Sequence, residues 1–291
     1  MKNQIASRRA QLLARSALCG VLAAMTIGAS SAMAQVTGVG TIGSTNSNGG
    51  AVGVASGGGV TNITTNAGRS IINWNNLTVT PTEALNFYFN NRSDIVVNRV
   101  AGAASIDGVL NGCMSTCGVN GGNIWILSSG GVLIGANAQI NTGGFLASTG
   151  GLTDSDILDG DMNFAFTGAP ANSTISVAGG ASLNTNGGSL ALIAPIVTTA
   201  AGSTVTATNG GDVVYGSAEN YNVTFAPTGA DDLDLITFEV PSRADGAGGT
   251  PGLTLNGTTN ANQVFAAIVS KSGVAASILL GGDITATAAS G

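Results

Sequence analysis

Asn123-Ile-Trp-Ile-Leu-Ser-Ser-Gly-Gly-Val-Leu-Ile-Gly-Ala-Asn-Ala-Gln-Ile-Asn-Thr-Gly-Gly-Phe-Leu-Ala-Ser-Thr149 sets short apolar runs between Gly/Ser/Asn corners and contains no charged residue. The runs are Ile124 to Leu127, Val132 to Ile134 and Phe145 to Ala147. Apolar pieces this short, bounded by turn formers, read as strands. Similar corners return at Gly187-Gly188 and Gly210-Gly211, 23 residues apart, while Gly143-Gly144 precedes the first of them by 44, close to two such steps. Repetition of strand and corner is the signature of a solenoid. The fold expected is therefore all-β, a parallel β-helix (β-solenoid) with an N-terminal cap, and its long side surface suits binding rather than catalysis.

Composition supports the same reading. The 291 residues include 45 glycines, 8% charged and 4% aromatic residues, whereas charged residues make up roughly 25% of ordinary soluble domains. Thin coils can be filled by Val, Ile, Leu and Ala without large side chains. Coils of roughly 20–25 residues predict about ten to twelve turns and a rod about 50 Å long at ~4.8 Å per coil. Residues 35–68, rich in Gly, Ser, Thr and Asn, read as the first, loosely specified strands or as the cap that a raw sheet edge needs. Residues 226–291 read as a less regular continuation of the β-helix or the start of a truncated adhesin region. Ala286–Gly291 has no capping composition and reads as a fragment boundary.

The N-terminus is an export address. Lys2, Arg8, Arg9 and Arg15 precede an apolar stretch from Ala17 to Ala29, and Ala32-Met33-Ala34 supplies the small residues of a cleavage site. The apolar run is too short to span a bilayer, so residues 1–34 are expected to leave as a signal peptide, through the Sec machinery and signal peptidase. Cleavage removes four of the nine basic residues and none of the fifteen acidic ones, which takes the net charge from −6 to −10. A surface of that sign repels nucleic acid. After Ala34 no segment is long and apolar enough to cross a membrane as a helix, and no run of amphipathic barrel strands follows.

Cys113 and Cys117, in a Gly-rich insertion of an exported chain, favour a disulfide over a redox pair or half a zinc site. Histidine is absent, which removes Ser-His-Asp and Cys-His catalysis. Asp154, Asp156, Asp159 and Asp161 are dense enough to raise calcium binding or carboxylate chemistry, but their spacing fits neither an EF-hand nor a calcium-binding repeat, and a solvated structural loop is the preferred reading. No metal or cofactor is expected. Arg99, lodged between apolar neighbours with Asn98, reads as a structural Asn/Arg pair bridging coils before it reads as a recognition residue. Trp74 and Trp125 read as core or cap packing rather than sugar platforms.

An ordered series of segments then resembles a known family. It comprises Ile71-Ile72-Asn73-Trp74, Ala84-Leu85-Asn86-Phe87, Val97-Asn98-Arg99-Val100, Ser105-Ile106-Asp107-Gly108-Val109-Leu110, Gly122–Leu127, Gly131–Gly135 and Gly143–Thr149. The series is similar to the N-terminal secretion domain of the filamentous haemagglutinin family, over about residues 36–225. The resemblance implies a right-handed parallel β-helix, with residues 35–225 as the two-partner secretion domain. It implies passage through the periplasm of a Gram-negative cell, recognition by an outer-membrane transporter with periplasmic domains, and release to the medium or cell surface. It also implies a non-enzymatic adhesin or haemagglutinin with a host or cell-surface receptor. The family usually carries Asn-Pro-Asn-Gly-Ile where this chain has Ser128, Ser129, Gly130, Gly131 and Val132, and the cysteine insertion lies outside the family's common pattern. Those five residues, with Asn98 and Arg99, are the expected transporter contacts. The rival readings are a polysaccharide-degrading β-helix enzyme and a self-assembling surface scaffold.

Overall fold

The computed structural model describes residues 35–227, 232–242, 250–268 and 278–287; the expected signal peptide and its cleavage site lie outside them. The strands stack in parallel on three faces of one column. Face 1 carries the first half of Arg69–Val79, then Ile95–Val100, Asn123–Leu127, Gly144–Ser148, Leu190–Ile193, Val213–Ser217 and Val264–Ile268. Face 2 carries the end of Arg69–Val79, then Ala104–Ile106, Val132–Ile134, Thr174–Val177, Ile196–Thr199, Leu253–Leu255 and Ile278–Leu280. Face 3 carries Val60–Thr65, Ala84–Tyr88, Val109–Cys113, Gln139–Thr142, Ser182–Asn186, Thr204–Thr208, Thr258–Ala261 and Ile284–Ala286. The protein is a parallel β-helix.

Side chains alternate in and out along each strand. On face 3 the inward positions Leu85, Leu110, Ile140, Leu183 and Val205 are all fully buried and stack coil on coil. Each coil is too thin to bury these residues alone, so the interior exists only through its neighbours. The corners are set by local chemistry. Gly131 has φ +101, a conformation that costs glycine little and a residue with a Cβ much more.

The described residues form seven coils, not ten to twelve. The difference lies in where the chain is spent. Gln35–Thr37 and Gly40–Ser47 run antiparallel onto Arg69–Val79, and Val52–Gly57 forms a hairpin with Val60–Thr65. These strands are the N-terminal cap, with Val39 and Ile42 buried in the interior cluster. The 44-residue step between Gly-Gly corners is likewise one coil, because Phe145 pairs directly with Leu190. The surplus residues leave the column between Ser148 and Thr174 and again after Ser217, and they return as a separate layer. The column's strands continue beyond residue 225, which itself falls within Asn220–Pro227.

That layer is a three-stranded antiparallel sheet, Asn163–Phe166 against Asn220–Pro227 against Leu233–Ser242. It lies on the outer side of face 1 and builds a second core. Trp125, Ile71, Val97 and Leu146 from the column meet Phe164, Phe166, Tyr221, Phe225 and Leu235 from the cover. The Trp125 ring meets Phe164 edge-on at 4.7 Å between centroids. This is why Asn123–Leu127 is buried at all five positions. A strand covered on both sides reads as a continuous apolar run, as the opening segment does.

Candidate functional site

The residues proposed from sequence to contact a transporter lie on the second and third of the seven coils. Asn98 is 0% exposed. It points into the interior, in register between Ile72 and Ile126. Its Oδ1 accepts from the Trp74 indole N–H at 2.9 Å and its Nδ2 donates to the Trp125 carbonyl at 3.2 Å. The amide therefore ties three successive coils, and it satisfies an indole that would otherwise be stranded in apolar surroundings.

Arg99 projects from the opposite side of the same strand. Its guanidinium pairs with Asp154 and donates to the Leu152 carbonyl at 2.7 Å. Asn98 and Arg99 thus have separate partners rather than each other. Hydrogen bonds from Arg99 and then Asn46 hold the Asp154 carboxyl below the usual carboxylate range.

Two further arginines do the same work, and sequence reading passed over both. Arg69 is buried. It donates to the carbonyls of Ile157 (2.9 Å) and Asp161, pairs with Asp159 at 3.5 Å, and lies 5.1 Å over the Phe164 ring. Burial pulls its pKa down, against the pull of Asp159, Asp161 and Asp156. Arg92 pairs with Asp232 at 2.7 Å and donates to the carbonyls of Asn120 and Asn186. Each arginine pins an excursion back to the column. For Arg69 the available signal was a basic residue standing alone in a long uncharged stretch.

The four aspartates around 154–161 are committed to this architecture. Their segment holds a short helix, Asp154–Leu158, with Thr153 as its N-cap. Asp154 and Asp159 face arginines, Asp156 accepts from the Ala165 N–H at 3.0 Å, and Asp161 accepts from the Asn163 N–H at 2.8 Å. Burial pushes the Asp156 carboxyl up. Among the described residues no three acidic, Cys or His side chains come together as a metal site would need.

Ser128, Ser129, Gly130, Gly131 and Val132 make the corner between faces 1 and 2. Ser128 Oγ is shared between the carbonyls of Gly102 (2.6 Å) and Gly131 (2.8 Å), and the Gly131 N–H closes the turn on the Ser128 carbonyl at 3.0 Å. Ser128, Gly131 and Val132 are buried, whereas Ser129 and Gly130 are exposed. Leu133, 49% exposed, stands beside them. The turn keeps its shape without proline because Ser128 supplies the hydrogen bonds and Gly131 the left-handed backbone.

Cys113 and Cys117 are joined, with Cα atoms 4.5 Å apart. They close a small hairpin in which Met114 N–H donates to the Val119 carbonyl and Cys113 bridges Asn120. Arg92 holds this hairpin through Asn120.

Of the candidate contacts, Asn98 and Ser128 are structural ties and Ser129 and Gly130 are left exposed at the corner. Among curated proteins none matches the sequence. Seven solved chains match the structure. One is the HMW1 secretion domain from Haemophilus influenzae, at a TM-score of 0.54 and 20% identity, covering 77% of this chain. This chain spans 57% of that one. The model of the TPS secretion domain matches residues 34–286, nearly every coil and the cover sheet with them. The protein belongs to the TPS secretion-domain family, the exported partner of two-partner secretion.

Proposed function

We propose that this chain is the secretion-competent part of an adhesin or haemagglutinin, read in the periplasm by its own outer-membrane transporter. The observation that carries the proposal is the family match across residues 34–286. On this reading the signal peptide delivers the chain through the Sec machinery, the transporter's periplasmic domains bind it before its coils have closed, and adhesion to a host or cell-surface receptor follows release.

The ties across the column favour recognition before folding. In the finished column Asn98 is sealed inside, so a transporter reads it only in an open chain; Ser129 and Gly130 stay accessible in either state. Edge strands of the unclosed chain can augment a sheet in the transporter's periplasmic domain. Coils then stack one at a time outside, each on the last. Closure is completed late, because Arg92 waits for Asp232, 140 residues on.

The test is made in the producing bacterium. Deletion of residues 70–150 is expected to trap the chain in the periplasm, and Ser129→Lys to reduce export while leaving the melting temperature unchanged. Export at the normal level from the deletion sinks the proposal; undiminished export from Ser129→Lys alone removes the corner from it.

A further inference from the structure

The strands of faces 2 and 3 are equally free of charge, and face 3 adds a line of outward amides that face 2 lacks. Face 1 is covered by the sheet except at its last strand, Val264–Ile268, where Phe265 is 48% exposed, whereas the outward side chains of face 3 are for the most part half-buried or exposed. None of its eight strands, nor the neighbouring Val52–Gly57, contains a charged residue. In a chain of net charge −6 that is a continuous neutral strip.

The strip has an organised centre line. Asn86 donates to Asn62 at 3.0 Å, Asn111 to Asn86 at 2.9 Å and Asn141 to Asn111 at 3.3 Å. Register carries the line on through Asn184, Thr206 and Asn260. An amide has two N–H donors and two lone pairs. From Asn62 to Asn141 the ladder uses at most one of each, so its half-buried members retain a donor and an acceptor for a ligand, whereas Asn184 donates to Ser182 Oγ at 2.9 Å. At its far end the strip dips into a groove of about 230 Å³ lined by Thr206, Thr208, Asn209, Asn260, Asn262 and Thr285. Hydroxyls and amides line it, with no carboxylate.

The dimensions choose the occupant. Nine strands at ~4.8 Å make a strip about 40 Å long and about 15 Å wide, on the order of 600 Å². A stable protein interface needs about 800 Å² per partner, so a globular partner or a second copy finds too little here. A long, narrow, neutral surface of paired donors and acceptors fits a chain of hydroxyl groups, each of which both gives and takes a hydrogen bond. Polyanions meet no counter-charge and are repelled by the protein's net charge. We infer that face 3 binds an uncharged polysaccharide laid along the column axis, with one sugar ring in the groove. Without an acid or base on the strip, binding proceeds without cleavage. The inference is independent of the secretion reading.

The test uses the folded full chain in affinity electrophoresis through gels containing dextran, laminarin, galactomannan or hydroxyethyl cellulose, with alginate as an anionic polymer. At least one neutral polymer is expected to retard the protein. Thr206→Glu and Asn184→Asp should weaken that retardation at least tenfold, and Thr206→Val, which deletes only a hydroxyl, should weaken it less. Thr198→Glu, at an outward position of face 2, should bind normally. All variants are checked for an unchanged thermal melt, and Thr206→Val alone is decisive if a charged variant fails to fold. Migration unaffected by all four neutral polymers, retardation by alginate only, equal binding by the face 3 variants, or equal loss in Thr198→Glu would each overturn the inference.

Discussion

Asp234 shows how a single carboxylate on the cover sheet sets a pH response. It sits on Leu233–Ser242, accepts from Ser189 Oγ, and is pushed up chiefly by burial. Asp212, on the corner beneath, is pushed up by burial and then by Asp234 itself. Both acids hold their proton more tightly in the folded than in the unfolded chain. Their charged forms therefore cost stability at neutral pH, and that cost disappears as pH falls through their folded pKa values towards the ordinary carboxylate range near 4. Asp154 works the other way. Its folded pKa is depressed, so its contribution is present above ~4 and is lost as pH falls through the folded value. Stability should accordingly peak in mildly acidic solution. Asp234→Asn keeps an acceptor for Ser189 and removes a half-buried charge. We expect it to raise the melting temperature at pH 7 by about 2–4 °C, the equivalent of about 1 kcal/mol in a chain of this size, and to change it little at pH 4. An equal effect at both pH values would show that the charge is not responsible.

At the scale of elements, the cover sheet is what distinguishes this column from a plain stack of coils. Its grip is concentrated at Trp125, which meets Phe164, Phe166 and Phe225. Trp125→Ala should cost about 3–5 kcal/mol by creating a cavity between two layers. Hydrogen exchange should then quicken first in Phe164–Phe166 and Tyr221–Phe225, before the coils themselves loosen. Uniform acceleration throughout would mean that cover and column unfold as one. The coil strands were readable in advance because short apolar runs between Gly-Gly corners leave few alternatives. The cover was not. Phe164 and Phe166 offer only two apolar positions after a run of aspartates, and their partners Tyr221 and Val223 lie more than fifty residues away. A pairing made at that distance is decided by what the outer side of face 1 needs covered, which no local window contains. The same blindness doubled the coil count between Gly143 and Gly188, where an excursion imitates a second turn. Arg99 was readable as a structural residue, but its partner was not: Asp154 reaches it only because the excursion folds back.

For the whole molecule, the open question of stability lies at the ends of the column rather than along it. Each coil's backbone bonds run to the coils above and below, so a terminal coil exposes a row of unpaired groups. At the N-terminal end the cap answers this. Gly40–Ser47 pairs with Arg69–Val79, the hairpin begins face 3, and Val39 and Ile42 close the interior over Trp74 and Ile63. On the last described coil Leu279 and Leu280 are 50% and 59% exposed. Removing residues 35–59 would leave the edge of the first coil raw, and that edge can pair with the exposed strand Ile278–Leu280 of another copy, head to tail without closing. The truncated chain is therefore expected to form concentration-dependent linear assemblies, visible by light scattering, while the intact chain stays dispersed. Adding Ile72→Lys would confuse the outcome by unfolding the coil, so the control places the charge on the outward Thr64, which borders the new edge without entering the core. Thr64→Lys in the truncated chain should slow assembly by setting like charges against each joining end. Truncated protein that remains monomeric, with the melting temperature of the intact chain, would mean that the cap shields nothing the column cannot protect by itself.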